Sequence, residues 1–156
     1  MPAALVEKVK KAKTFNQGYL TTEYLAAALL DMSWHSLPPD APPQDVAAFE
    51  KSTLEKRKVD LAQVPPRYRT TYFGHIWGGG YAAGYYAYLW SEVLDDDAYS
   101  WFREHSGMTR ENGQRFRDMI LSRGASRDVA ELYRAFRGRD PEVGPLMVER
   151  GLIGNP

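Results

Sequence analysis

The sequence has no cysteine among its 156 residues. Disulfide bonds, thiolate metal sites and a cysteine nucleophile are therefore excluded. An excess of one charge is also lacking, because 20 Lys and Arg residues balance 20 Asp and Glu residues. A dedicated nucleic-acid-binding protein usually carries a strong basic excess, so we predict no nucleic-acid partner.

Long hydrophobic runs are missing as well. The longest comparable apolar stretch covers residues 24–30, whereas a membrane-spanning helix needs roughly 18–20 apolar residues. The first residues enter a charged helical pattern without the apolar core of a signal peptide. We therefore predict no membrane partner.

Several catalytic motifs are absent. There is no His-Glu-x-x-His zinc motif, no Gly-x-Ser-x-Gly nucleophile motif and no phosphate-binding P-loop. The histidines, His35, His75 and His105, are thirty or more residues apart along the chain. Lone histidines in helical proteins are more often structural or exposed than metal ligands, and we interpret His35 and His105 in that way.

What the sequence does contain is helical periodicity, and no segment alternates with the period of two that indicates strands. We predict an all-α fold of seven or eight helices without a significant sheet, forming a single helical domain over residues 1–156. Caps and breakers set the limits of these helices. The predicted helices cover residues 3–13, Thr21 or Thr22 to about 30, Asp45 to about 61, 81–94, 98–105, 109–123, Ser126 to Gly138, and Asp140-Pro141 to Gly151.

The segment from residue 73 to residue 90 differs from the rest because it concentrates aromatic residues and glycine. Three consecutive glycines, Gly78, Gly79 and Gly80, predict a flexible turn. Tyr81, Tyr85 and Tyr88 follow at helical spacing and would share one helix face, whereas Tyr86 would point into the core.

Two interpretations of these tyrosines remain open on spacing alone. Buried tyrosines are often core residues with one polar tip. Alternatively, a mobile turn and His75 beside a row of hydroxyl donors suit a site that binds peptide carbonyls, where a phenol donates to a developing oxyanion. A module that binds peptides without cutting them, or a purely structural helical domain, would also match the pattern.

The residues of this segment resemble the thimet oligopeptidase and neurolysin family of zinc metallopeptidases. That family has a His, a glycine-rich turn and a tyrosine-rich helix ending in Leu-Trp-Ser/Thr, which reads here as Phe73-Gly74-His75 through Tyr88-Leu89-Trp90-Ser91. Further similar stretches cover nearly the whole chain: residues 15–18, 21–23, 109–117, 120–124, 133–138 and 150–152.

The resemblance implies the C-terminal portion of a longer zinc-dependent peptidase of short peptides. Family members hold zinc through His-Glu-x-x-His and a later glutamate, all in a part that precedes the region matched here. The resemblance therefore implies no metal ligand in this chain, an inactive isolated chain, and the zinc-bearing part as its partner. It also implies a cytoplasmic location, in keeping with the lack of cysteine.

The resemblance also assigns roles to individual residues. Tyr88 matches the tyrosine that stabilises the tetrahedral oxyanion. His75 and Tyr81, with the glycine turn Gly78, Gly79 and Gly80, match residues that bind the substrate and close over it, and Tyr85 matches a further cleft tyrosine. Between His75 and Tyr81 this chain has one residue more than thimet oligopeptidase, as the peptidyl-dipeptidase members of the family do. This likeness favours removal of C-terminal dipeptides. We further expect self-association through apolar cleft surface left uncovered.

Overall fold

The computed structural model describes residues 1–154 and is built of helices. Within these residues there is no β-strand, only an isolated bridge between Leu61 and Val64. The all-α prediction is confirmed. The α-helices are α1 (Ala3–Lys13), α2 (Gln17–His35), α3 (Val46–Lys56), α4 (Gly74–Trp77), α5 (Ala87–Glu104), α6 (Arg110–Phe116), α7 (Val129–Arg137) and α8 (Gly144–Glu149). A short 3-10 helix covers Thr70–Tyr72, and a π-helix at Arg117–Leu121 continues α6.

The chain divides into two compact units, Met1–Tyr88 and the residues from Leu89 onward. The prediction of a single helical domain stays a prediction. No helix in the described part of the chain is both long enough and apolar enough to span a membrane.

The first unit packs the loop after α3 onto α2. The alanines of α2 allow this close approach because their side chains are small. Asp45 caps α3 by accepting a hydrogen bond from the Ala48 backbone N–H at 2.8 Å. The core of the unit is formed by Ala27, Ala28, Phe73, Ile76 and Tyr85, with Tyr24 and Tyr68 packed against them.

The second unit combines an aromatic core with a buried carboxylate on α5. Asp97 is fully buried, and it accepts hydrogen bonds from Tyr133 Oη at 2.7 Å, Arg137 Nε at 3.2 Å and Arg139 Nη2 at 2.7 Å. Burial opposes ionisation of Asp97, but these partners outweigh it and hold the pKa of this carboxyl below its ordinary value. The aromatic core consists of Ala98, Trp101, Phe102, Tyr133 and Phe136.

Two predicted helix starts are wrong, one in each unit. Asn16 takes a left-handed conformation with φ of 58°, which Asn tolerates, so α2 begins at Gln17 rather than at a threonine. The Thr22 hydroxyl instead donates to the Gly18 carbonyl within α2. Asp128, not Ser126, caps α7, accepting from the Glu131 backbone N–H at 2.9 Å.

Three further limits also differ from the prediction. The last helix begins at Gly144, because the Asp140 carboxylate pairs with Arg134 Nη1 at 3.0 Å instead of capping a helix. Helix α3 ends at Lys56, earlier than predicted. Helix α5 runs without a break through residues 95–97, where the sequence predicted an end, since partners in the same unit compensate the buried charge of Asp97.

Candidate functional site

The predicted site residues lie on consecutive short segments of the first unit. His75 belongs to the single-turn helix α4, the three glycines follow it, and Tyr88 lies in the first turn of α5. The prediction that a helix begins at Tyr81 is wrong, because residues 82–86 form a turn. Within that turn Ala83 adopts a left-handed φ of 53°, which interrupts helical geometry.

The structure nevertheless brings the four predicted side chains together. The rings of Tyr81 and Tyr88 stack with centroids 5.0 Å apart. The imidazole of His75 lies 5.9 Å from the Tyr81 ring, 6.4 Å from the Tyr88 ring and 5.4 Å from the Tyr85 ring. A turn, rather than the predicted shared helix face, gathers these rings.

The tyrosines differ in their exposure. Tyr88 is 45% exposed, whereas Tyr85 is only 3% exposed and belongs to the core. Tyr86 is 50% exposed, so the prediction that it is a core residue is wrong. Burial raises the pKa of Tyr85 to about 12. The role of Tyr85 as a cleft residue stays a prediction.

The phenol of Tyr88 keeps its proton at neutral pH. Hydrogen bonding with the Tyr81 side chain is the largest cause that raises the pKa of Tyr88 above its ordinary value of 10.0. A protonated phenol is a hydrogen-bond donor. Tyr88 as a residue is 45% exposed, so a ligand that reached this phenol would compete with Tyr81 for its one hydroxyl proton.

The three glycines meet different constraints. A Cβ atom on Gly79 would lie 2.9 Å from both the Cα and the carbonyl oxygen of His75, closer than real Cβ atoms approach. Gly80 has φ of +80°, a conformation that L-residues rarely adopt, while a Cβ on Gly78 would meet nothing within 4 Å. Glycine is thus required at Gly79 by contact and favoured at Gly80 by conformation.

A buried carboxylate that the sequence analysis missed holds the turn before Tyr88. Asp31 of α2 is fully buried. Its Oδ1 accepts from the Ala83 backbone N–H at 3.0 Å, and its Oδ2 accepts from the Tyr85 backbone N–H at 2.9 Å. His35 Nδ1 lies 2.8 Å from Oδ1. The feature of the sequence that could have pointed to Asp31 is its place as a single acidic residue directly after the apolar run 24–30 of α2.

A second buried carboxylate holds the segment before His75. Glu50 of α3 accepts from the Thr70 backbone N–H at 3.1 Å and from the Thr70 hydroxyl at 3.0 Å, and it pairs with Arg69. Burial opposes ionisation, but the hydrogen bonds from Arg69 and Thr70 prevail and lower the pKa of Glu50. The indole of Trp77 also donates to the Thr70 carbonyl at 2.8 Å.

The residues present do not fit a zinc site. In the described range no three His, Asp or Glu side chains lie close enough together to hold a metal ion. His75 is surrounded by aromatic rings, His35 contacts Asp31, and His105 stacks on Trp101 at 4.2 Å. A cavity of about 580 Å³ exists, but it is lined by residues of the second unit and by none of the predicted site residues.

Comparison with known proteins shows the family to which the chain belongs. The sequence matches peptidase family M3 over residues 1–152. It is 58% identical to a dipeptidyl carboxypeptidase of Salmonella typhimurium and 55% identical to one of Escherichia coli, each over 97% of this chain and 22% of the relative. It is 38% identical to oligopeptidase A of Salmonella typhimurium, over 99% of this chain and 22% of that protein.

The chain thus spans about a fifth of the length of the curated relatives that it matches. The family match covers nearly all of the chain, and the similarity to the two carboxypeptidases extends over the same range. The chain belongs to peptidase family M3.

Proposed function

We propose that this chain is the C-terminal, substrate-binding and oxyanion-stabilising part of a peptidase that removes dipeptides from the C-terminus of short peptides. The names of the two most similar relatives reported above support the reaction class. The exposed phenol of Tyr88, stacked on Tyr81 beside His75, is the observation that carries the proposal.

In this proposal Tyr88 stabilises the transition state. When a nucleophile attacks a peptide carbonyl, negative charge develops on the carbonyl oxygen, and the Tyr88 hydroxyl donates a hydrogen bond to it. A preorganised donor acts on charge that exists only in the transition state, so its loss typically lowers kcat by about 10²–10³-fold. His75, Tyr81 and the turn of Gly78, Gly79 and Gly80 bind the peptide backbone next to this oxygen.

The nucleophile and the zinc ion of such a peptidase would come from outside this chain. The described residues offer no metal-binding group, and the relatives carry more than three times as much polypeptide beyond the matched part. We therefore propose that the isolated chain is inactive and that it works together with a zinc-bearing part of the same enzyme.

One surface suited to that association is helix α1. None of its residues is buried, and Leu5 and Val9 are 46% and 58% exposed. Exposed apolar faces of this kind favour packing against another part of the polypeptide or against a second copy. Clean monomers of the isolated chain in sedimentation at high concentration would contradict packing against a second copy.

The decisive experiment replaces Tyr88 in the complete peptidase. Tyr88→Phe keeps the ring and removes the donor, so kcat for release of a C-terminal dipeptide should fall by about 10²–10³-fold with little change in KM or in the melting temperature. Tyr86→Phe is the matched control, since Tyr86 is equally exposed and lies outside the ring cluster. Normal turnover in Tyr88→Phe would contradict the proposal.

A second experiment tests the isolated chain. An N-blocked peptide is incubated with the chain and added zinc, with and without a chelator, and dipeptide release is followed by mass spectrometry. We expect no chelator-sensitive release. Release that copurified with the chain would mean that these residues form a complete metal site.

A further inference from the structure

We infer that Asp31 is a positioning residue for Tyr88, holding the turn that presents this phenol to the substrate. The inference rests on the proposed function of Tyr88 as the oxyanion donor. It assigns a catalytic consequence to a carboxylate on α2 that touches no substrate and lies more than fifty positions before Tyr88 in the sequence.

Asp31 binds the turn at two points. Its two oxygens accept from backbone N–H groups two residues apart, those of Ala83 and Tyr85, at 3.0 and 2.9 Å. Hydrogen bonds to an ionised acceptor are about twice as strong as neutral ones, and burial away from water strengthens them further. The carboxylate therefore fixes both the position and the orientation of this part of the backbone.

The backbone at this point needs such support. Ala83 has φ of 53°, and a left-handed conformation is unfavourable for a residue with a Cβ atom. A residue stays in this region only where its surroundings impose it. The hydrogen bond from the Ala83 N–H to Asp31 is the contact that imposes it here.

The fixed turn determines where Tyr88 lies. The Gly84 N–H donates to the Tyr81 carbonyl at 2.8 Å, and the Ala87 N–H donates to the Gly84 carbonyl at 3.0 Å, which leads directly into α5. The ring of Tyr81, just before the turn, and the ring of Tyr85, within it, have their centroids 5.0 and 5.5 Å from that of Tyr88. A shift of the turn would move both of these supports together with the first turn of α5.

The test uses Asp31→Asn in the complete peptidase. The variant keeps the side-chain shape but replaces one acceptor oxygen by an NH₂ group. Because this NH₂ group would face an N–H donor, at least one of the bonds to Ala83, Tyr85 or His35 is lost. A displacement of about 1 Å at a catalytic group can lower the rate about 10²-fold, and we expect kcat to fall by roughly 10–100-fold.

The matched control is Glu50→Gln. Glu50 is also a buried carboxylate that binds backbone, but its partners are Thr70 and Arg69, which precede His75 in the sequence. Glu50→Gln should lower stability as Asp31→Asn does, and because Glu50 holds the segment before His75, any effect on substrate binding should appear in KM, with a much smaller effect on kcat. Equal losses of kcat in the two variants would show a general effect of weakened folding and would overturn the inference.

A double-mutant cycle separates positioning from a merely structural role. If Asp31 acts through Tyr88, then Asp31→Asn should lower kcat little in a Tyr88→Phe background, because the donor that it positions is already gone. If the two effects on kcat multiply, Asp31 does not act through Tyr88 and the inference is wrong. If Tyr88→Phe alone leaves kcat unchanged, the proposed function itself fails, which is a different outcome.

A second variant keeps the test decisive where Asp31→Asn does not fold. Replacing Ala83 by lactic acid through nonsense suppression changes the backbone amide to an ester, which removes the N–H that donates to Asp31 and leaves the side chain unchanged. We expect kcat to fall several-fold in the wild-type background and not in the Tyr88→Phe background. Unchanged kcat in the ester variant would overturn the inference.

Discussion

The contact between Gly79 and the backbone of His75 makes one substitution especially informative. In Gly79→Ala the new Cβ atom would lie 2.9 Å from His75 Cα, 2.9 Å from the His75 carbonyl oxygen and 3.2 Å from the Gly74 carbonyl oxygen. All three are backbone atoms, so no side-chain rotation relieves the overlap. Either the turn or α4 must move.

The size of the effect follows from what has to move. Inserting a methyl group into a packed site that must shift its backbone typically costs about 1–3 kcal/mol. The His75 carbonyl also accepts the Tyr81 N–H at 3.1 Å, and weakening such a bond adds about 0.5–1.5 kcal/mol. We expect Gly79→Ala to lower the free energy of unfolding by about 1.5–4.5 kcal/mol.

Gly78→Ala is the control for this substitution. A Cβ at Gly78 meets nothing within 4 Å, so the change should be neutral or stabilise the fold by up to about 1 kcal/mol through the unfolded state. Equilibrium urea unfolding followed by circular dichroism measures both variants. Equal stability of Gly78→Ala and Gly79→Ala would refute the argument from close contact.

Three further predictions concern backbone strain and buried charge. Ala83→Gly relieves a left-handed alanine, and we expect a gain in unfolding free energy of about 0.5–1 kcal/mol in urea unfolding, after the entropy of glycine is subtracted; a loss of stability would contradict the assignment of strain. Gly138 ends α7 with φ of 88°, so Gly138→Ala should cost about 1–2 kcal/mol and lower the melting temperature; an unchanged melting temperature would contradict it. The pKa of Asp97 is lower in the folded protein than its ordinary value of 3.8. The contribution of its ionised form to stability is therefore present above pH 3.8 and is lost as the pH falls through the folded-state pKa. In Asp97→Asn the free energy of unfolding should depend less steeply on pH in the acid range, and an unchanged dependence would refute this.

The helices could be predicted from the sequence because their signals are local. Apolar periodicity and capping side chains act within a few residues, and Asp45, Thr109 and Gly138 all mark helix ends where the sequence placed them. Cap choice failed where two candidates were close together, as at Ser126 and Asp128. Serine and aspartate are both favoured N-caps, so residue preference alone does not decide between them.

The start of α5 could not be predicted in this way. Residues 81–94 have helical periodicity, but Asp31 binds the backbone N–H groups of Ala83 and Tyr85, and Tyr24 donates to the Tyr85 carbonyl, so that the first part is a non-helical segment. Those bonds join positions more than fifty residues apart. The site residues His75, Tyr81 and Tyr88 were identified by their residue types and by the family resemblance. No feature of the sequence near residues 75–88 indicates that the Asp31 carboxylate holds the turn before Tyr88.

Helix α1 has a consequence for hydrogen exchange. It has 11 residues, none of them buried, and isolated helices shorter than about 12–15 residues are only marginally stable in water. Its amide hydrogens should therefore exchange with deuterium almost as fast as those of a free peptide whenever its Leu5 and Val9 face is uncovered. Slowed exchange confined to this helix would show directly that another surface packs against it. The exchange rate of α1 therefore measures whether this face is covered in an assembly.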